Sequence, residues 1–267
     1  MDYALFSRSL MSLALILATT LAACQGQSDS SQTSTPTVAP DTQAEPAATS
    51  GVAETTSSIE VERKNDATIT QVQQPSIWVK SVSTQTELEA QVGTGLIFGD
   101  ILRTEADALA EVALSSGLAF RLGGNASLVL QPDNRMELSS GQIIAWVEPG
   151  KQVPTEIVTP AGVAGLRGTT IFIEISDEPD PEVHILAWEG TITFTVPGES
   201  EPLVLEGGQG LRLRSGETDL PALRNRIASL NRRQIRQQRR QSRLLNNFDR
   251  PIPTQPQIDQ VMESISE

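Results

Sequence analysis

The chain has 267 residues, enough for one domain or two small ones, and its aromatic content of 4% is too low for a large conventional core. The net charge is −13, yet residues 222–247 hold eight arginines and no acid, so everything else carries −21. An acidic body with one basic segment argues against general nucleic-acid binding.

The first 24 residues run from a polar start with Arg8 through an apolar stretch to Leu21-Ala22-Ala23-Cys24. This is the order of a bacterial signal peptide. The apolar stretch from Leu10 to Ala22, broken only by Ser12, Thr19 and Thr20, is too short for the roughly 20 residues that a hydrocarbon core requires. Residues 1–23 are therefore expected to be a removed leader rather than a spanning helix. Leu21-Ala22-Ala23-Cys24 resembles the lipobox of bacterial lipoproteins. That resemblance implies lipid on Cys24, a protein held to a membrane on the periplasmic side or at the cell surface, and no cytoplasmic role. Cys24 is the only cysteine, so no intramolecular disulfide competes for it.

Residues 24–74 are expected to be a disordered tether, because the tract from Gln25 to about Thr70 is Ser, Thr, Gln, Pro and Ala with hardly a large apolar side chain. A tract of that length would hold the folded part roughly 35–40 Å from its anchor. From 75 to 216 the pattern changes to short apolar or alternating runs separated by turn residues. In Thr191–Val196 the alternation places Ile192, Phe194 and Val196 on one face. Gly123-Gly124-Asn125, Pro132-Asp133-Asn134 and the glycines at 117, 141, 190 and 208 are expected to supply the turns. About ten such strands predict an all-β body, a compact roll, sandwich or β-helix-like domain.

Beyond Leu220-Pro221 the sequence has no Gly or Pro until Pro251 and is rich in Leu, Arg and Gln, which are good helix formers. It predicts one long C-terminal helix over 219–249, about 39 Å for its central 26 residues, capped by Asp219 and stopped by Asp249-Arg250-Pro251. Leu223, Ile227 and Leu230 begin an apolar stripe, but it continues through Gln234, Gln237 and Gln241, so a coiled-coil seam is absent. Residues 250–267 read as a flexible tail.

The strand region resembles the FecR-type domain of bacterial extracytoplasmic proteins. The matching residues are Gly99–Thr104, Ala110–Leu114, Ser116-Gly117 leading to Arg121-Leu122, Leu138–Ile143, Thr159-Pro160, Gly165–Thr169, Trp188–Ile192 and Leu205–Gln209. The resemblance spans about residues 75–215. Name-giving members of that family are inner-membrane regulators that relay a transporter signal to a sigma factor, through a cytoplasmic segment and a transmembrane helix. Here a lipobox and tether stand in their place, so the relay does not carry over with the domain.

Individual residues have physical readings of their own. Asp100 suits a turn in which its carboxylate accepts a backbone hydrogen bond, and Gly168 suits positive φ. Arg167, between apolar neighbours, is expected to pair with a carboxylate or carbonyls, Asp100 being one candidate, with anion binding as the functional alternative. His184 is the only histidine and should share a strand face with Leu186 and Trp188 as a packed or edge side chain rather than a catalytic one. Asp177–Glu182 reads as a solvated hairpin loop without EF-hand spacing. No catalytic, metal or cofactor site is expected. The candidate partner-binding residues are Arg224, Arg226, Arg232, Arg233, Arg236, Arg239, Arg240 and Arg243. They would either pack against the acidic β body or engage an anionic envelope polymer, a lipid headgroup or an acidic protein. The expected function is a non-catalytic, lipid-anchored interaction or scaffolding module of the cell envelope; the alternative is an extracytoplasmic sensory or regulatory component.

Overall fold

The computed structural model describes residues 65–265. The expected leader, Cys24 and the tether up to residue 64 lie outside the described residues.

Six strands come first: β1 (Ala67–Gln73), β2 (Ile77–Lys80), β3 (Glu87–Glu89), β4 (Gly95–Leu96), β5 (Ile101–Thr104) and β6 (Leu109–Leu114). Two long strands follow, β7 (Leu118–Gln131) and β8 (Arg135–Val147). Then come β9 (Pro154–Thr159), β10 (Gly162–Arg167), β11 (Thr170–Ile175), β12 (Glu182–Glu189), β13 (Thr191–Thr195), β14 (Leu203–Glu206) and β15 (Gln209–Arg214). The chain ends with α1 (Leu220–Arg226), a short β16 (Ala228–Ser229), α2 (Arg232–Gln241), α3 (Arg243–Asn246) and α4 (Gln255–Ser264). The all-β expectation is met by one continuous, unclosed sheet of 16 strands.

β7 and β8 organise that sheet because each serves two halves of it. Residues 118–123 of β7 and 142–147 of β8 pair with each other and lie between β6 and β11. Residues 127–131 and 135–140 pair again and lie between β5 and β9, with β8 and β9 parallel. Between the two stretches the register slips at Gly123–Ser127. Gly123-Gly124-Asn125 and Gly141 are thus not hairpin turns, as their composition suggests, but the two sides of a kink inside long strands. Asn125 and Gly141 both have positive φ, and a Cβ on Gly141 would come within 2.4 Å of the Ala126 backbone. Glycine is required there because the backbones approach too closely for any side chain.

The kink lets the two halves bury their inward faces in one core. Ile171, Ile185 and Leu211 from one half join Ile157, Ile192 and Leu203 from the other. Ile192, Phe194 and Val196 are all buried, as their alternation predicts. The strand region also begins earlier than position 75. Ile69 in β1 is completely buried and the strand pairs with β6, so the last residues assigned to the tether belong to the sheet. Their Thr and Gln composition conceals a two-residue alternation that only the β6 partner makes useful.

The C-terminal region is not one rod. α1 ends at Arg226 and is followed by Ile227, whose backbone is extended; Ala228–Ser229 joins β15, and Asn231 and Ser242 cap α2 and α3. The physical reason is that its apolar residues have two destinations. Leu220 and Leu223 enter the core between the sheet halves, whereas Ile235, Leu244, Leu245 and Phe248 enter a second core on the outer side of the sheet. A straight helix could not reach both. The expected flexible tail is likewise ordered over its described residues, 250–265: Ile252 and Ile258 join the second core, with Ile258 in α4. Leu109, Ile144, Trp146, Phe172, Leu186 and Trp188 form the sheet side of that second core, so α2–α4 act as a cover. Among the described residues no helix is long and apolar enough to cross a membrane.

Candidate functional site

α2 starts with a reciprocal cap. The Asn231 side chain accepts from the Gln234 backbone N–H at 2.9 Å, while the Gln234 side chain accepts from the Asn231 N–H at 2.9 Å. Ile235 is the only buried residue of this helix and faces the second core. The opposite side is left to arginines, and helical spacing of three and four residues stacks Arg233, Arg236 and Arg240 on one face.

The eight candidate arginines have unequal fates. Arg224 pairs with Glu201 at 2.6 Å, and Arg226 pairs with Glu217, holding that carboxyl below its usual range. Arg232 donates to the carbonyls of Glu263 and Ile265, at 2.9 and 3.2 Å, at the C-terminal end of α4, where the helix dipole favours a cation. Arg239 donates to Asn246 Oδ1 at 2.5 Å, and Arg243 to Asp107 Oδ1 at 3.2 Å and to the Asp107 carbonyl at 2.9 Å. Arg233, Arg236 and Arg240 are exposed, and their guanidinium groups have no hydrogen-bond or ion-pair partner among the described residues. With Asn231 and Arg232 they line a concavity of about 450 Å³. Packing against the acidic body thus accounts for some of the arginines, and the three on the outer face of α2 remain available. Like charges at this spacing repel by a few tenths of a kcal/mol per pair. An oxyanion seated among them would relieve that and accept their planar forks.

A ninth arginine, Arg121, holds the cover in place. It is fully buried on β7, donates through Nε to Glu111 at 2.8 Å, and donates to the carbonyls of Leu244 at 2.9 Å and Arg250 at 2.5 Å. Its guanidinium lies 4.1 Å from the Phe248 ring centroid and 5.6 Å from that of Trp146. Burial lowers its pKa while Glu111 opposes that shift. In the sequence Arg121 appears only as part of the family resemblance; the signal that could have marked it is a charged residue inside the apolar run Leu118–Leu122.

Arg167 does not pair with Asp100. Asp100 is buried and accepts from the backbone N–H groups of Val82 and Ile97, each at 3.0 Å, which is the turn role its position predicts. Arg167 is exposed on β10, on an open groove of about 590 Å³ beside Arg135, Glu156, Thr191 and Thr193. Its apolar neighbour Leu166 faces the core while it faces out, because strand side chains alternate. Gly168 does take positive φ. His184 packs on the face shared with Leu186 and Trp188, edge-on to Phe172, with Nδ1 3.8 Å from Glu174 Oε2. Residues 176–181 form the loop between β11 and β12, and Glu182, expected in that loop, instead opens β12 through its pairing with β15.

Glu189, at the end of β12, was not legible as a site residue. It is buried, accepts from the Thr170 hydroxyl at 2.8 Å, and its pKa is raised by desolvation. The same hydroxyl lies 2.7 Å from that of Thr254, which precedes α4.

The family described as FecR protein matches residues 100–193, from the residue before β5 into β13 and inside the span of the sequence resemblance. Two crystal structures of a candidate anti-sigma factor from Parabacteroides distasonis are similar to this chain. One is 11% identical and covers 42% of this chain and 53% of the other, with a TM-score of 0.35. The second is 12% identical and covers 41% and 52%, with a TM-score of 0.34. The chain thus spans about half the length of the structures it matches. No curated protein matches it by sequence.

Proposed function

With residues 100–193 FecR-like, we propose that the chain is an extracytoplasmic sensory or regulatory binding module. It acts by docking rather than by catalysis, and the outer face of α2 engages an anionic partner. The FecR match favours regulation over the passive scaffolding that the sequence first suggests. The observation that carries the docking surface is the set of unpaired arginines, Arg233, Arg236 and Arg240, around one concavity. Guanidinium forks recognise carboxylate and phosphate oxygens in pairs, which gives geometry as well as charge.

In the same reading the leader is removed and Cys24 carries lipid. The anchor then takes the place of the spanning helix found in signalling members of the family. A mature protein without a mass increment on Cys24, or a Cys24→Ala form that stays with the membrane fraction, would remove that part.

The function is tested by crosslinking the full chain in intact envelopes and identifying what is captured, beside a variant with Arg233, Arg236 and Arg240 all changed to Glu. Capture of a transporter or signalling component that the triple variant loses, and that salt weakens, supports regulation through α2. Capture of an envelope polymer instead returns the reading to scaffolding. Equal capture by both forms would remove α2 from the account.

A further inference from the structure

A second cavity, of about 210 Å³, lies at the seam between the sheet and its helical cover. Gln142, Phe172, Glu174 and Trp188 line it from the sheet, and Gln238 and Gln241 from α2. None of these residues belongs to the arginine face.

Three observations describe what the seam would accept. The side-chain amides of Gln238 and Gln241 have no hydrogen-bond partner among the described residues. Phe172 and Trp188 line it with aromatic side chains. Glu174 accepts from the Gln142 amide at 2.7 Å and still leaves carboxylate lone pairs for further donors.

Charge narrows the class. Arg243 also lines the cavity, but its guanidinium is committed to Asp107 and to the Ala106 and Asp107 carbonyls, so no free cation awaits an anion. The remaining polar groups are carboxamides, one carboxylate and the Ser242 hydroxyl, beside two aromatic side chains. Carboxamides both donate and accept, as hydroxyl groups do, and aromatic walls suit the C–H surface of a saturated ring. The volume lies below the roughly 300–1,000 Å³ of sites for drug-sized ligands, so it takes one ring-sized unit.

We propose that the seam cavity binds a neutral, hydroxyl-rich ligand of monosaccharide size, bridging the sheet to α2. Because the ligand touches both walls, binding also holds the cover closed. This goes beyond the docking role of the arginine face and does not depend on it.

The experiment uses the whole chain, with glucose and N-acetylglucosamine as neutral probes and ethylamine and acetate as charged ones. Binding is read by calorimetry and by slowing of backbone hydrogen exchange in α2. One neutral sugar is expected to bind saturably with a Kd of about 0.1–10 mM, equivalent to weak single-site recognition. Gln241→Ala, on an exposed side chain that the fold does not need, should weaken it about tenfold or more. Glu174→Gln should also weaken it, and Arg236→Glu should leave it unchanged while impairing anion docking. No saturable binding of either sugar, tighter binding of ethylamine or acetate, or affinity unaffected by both Gln241→Ala and Glu174→Gln would overturn the proposal. Circular dichroism of each variant separates loss of fold from loss of site.

Discussion

Replacing Arg121 by Ala tests whether the C-terminal helices are held to the β body by this one side chain. The substitution removes the bond to Glu111 and strands the Leu244 and Arg250 carbonyls, and it removes a cation 4.1 Å from the Phe248 ring. Breaking a buried ion pair from one side costs about 3–5 kcal/mol. Glu111 draws the value to the lower end, because its carboxylate also accepts from Thr70 at 2.8 Å and Gln71 at 3.0 Å and is not left bare. About 3 kcal/mol is therefore expected in urea unfolding, and it should fall mainly on the cover. Local opening of residues 244–262 would then become about a hundredfold more frequent. Hydrogen exchange in that segment, read by mass spectrometry, should accelerate accordingly while β11 and β12 keep their protection. Arg121→Lys keeps the charge but not the three-way fork, and should lie between the two. A loss under about 1 kcal/mol for Arg121→Ala, with exchange over 244–262 unchanged, would refute the latch.

Three further outcomes follow from the same structure. Gly141→Ala places a side chain at positive φ against the Ala126 backbone and should cost about 2–5 kcal/mol, measured as the urea midpoint; a change under about 0.5 kcal/mol would mean that the kink relaxes freely. The Glu174 pKa is lowered chiefly by the neighbouring His184, whose Nδ1 lies 3.8 Å away, with burial opposing and Gln142 and the charges of His184 and Arg212 assisting. A depressed carboxylate contributes stability that is present above its unfolded pKa of about 4.3 and lost as pH falls through the lower folded value. Glu174→Gln should accordingly flatten the acid limb of a stability–pH curve, and an unchanged limb would contradict the assignment. Glu189 behaves oppositely, since desolvation raises its pKa against the Thr170 bond. Its stabilising contribution is complete below about pH 4.3 and is lost as pH rises through the folded value. Glu189→Gln should raise the thermal midpoint near neutral pH and change it little in acid; a lower midpoint at neutral pH would show that the charged form is needed.

Local chemistry made part of this protein readable. Ile192, Phe194 and Val196 alternate, and they are buried. Asp100 follows a glycine, and it caps a backbone turn. The cluster Gly123-Gly124-Asn125 was legible as a departure from regular strand but not as a kink, because a turn and a bulge use the same residues and differ only in what pairs beyond them. β1 was hidden for a related reason: Ala67–Gln73 has a weak pattern of its own and becomes a strand through pairing with β6.

The α2 site shows the same division. Composition alone singled out the basic segment, and helix propensity alone allowed one long rod. Which arginines are paired and which stay open was decided by partners distant in sequence, as with Arg243 and Asp107 or Arg224 and Glu201. Arg167 reversed its expected environment because strand alternation turned it outward, while Arg121 became buried only because a segment more than 120 residues later covers it. The sequence by itself determined the kinds of element, the all-β body and the basic character of the end. Burial, pairing and the break in the C-terminal helix were left to the tertiary structure, since each depends on where apolar residues far apart in the chain find a common core.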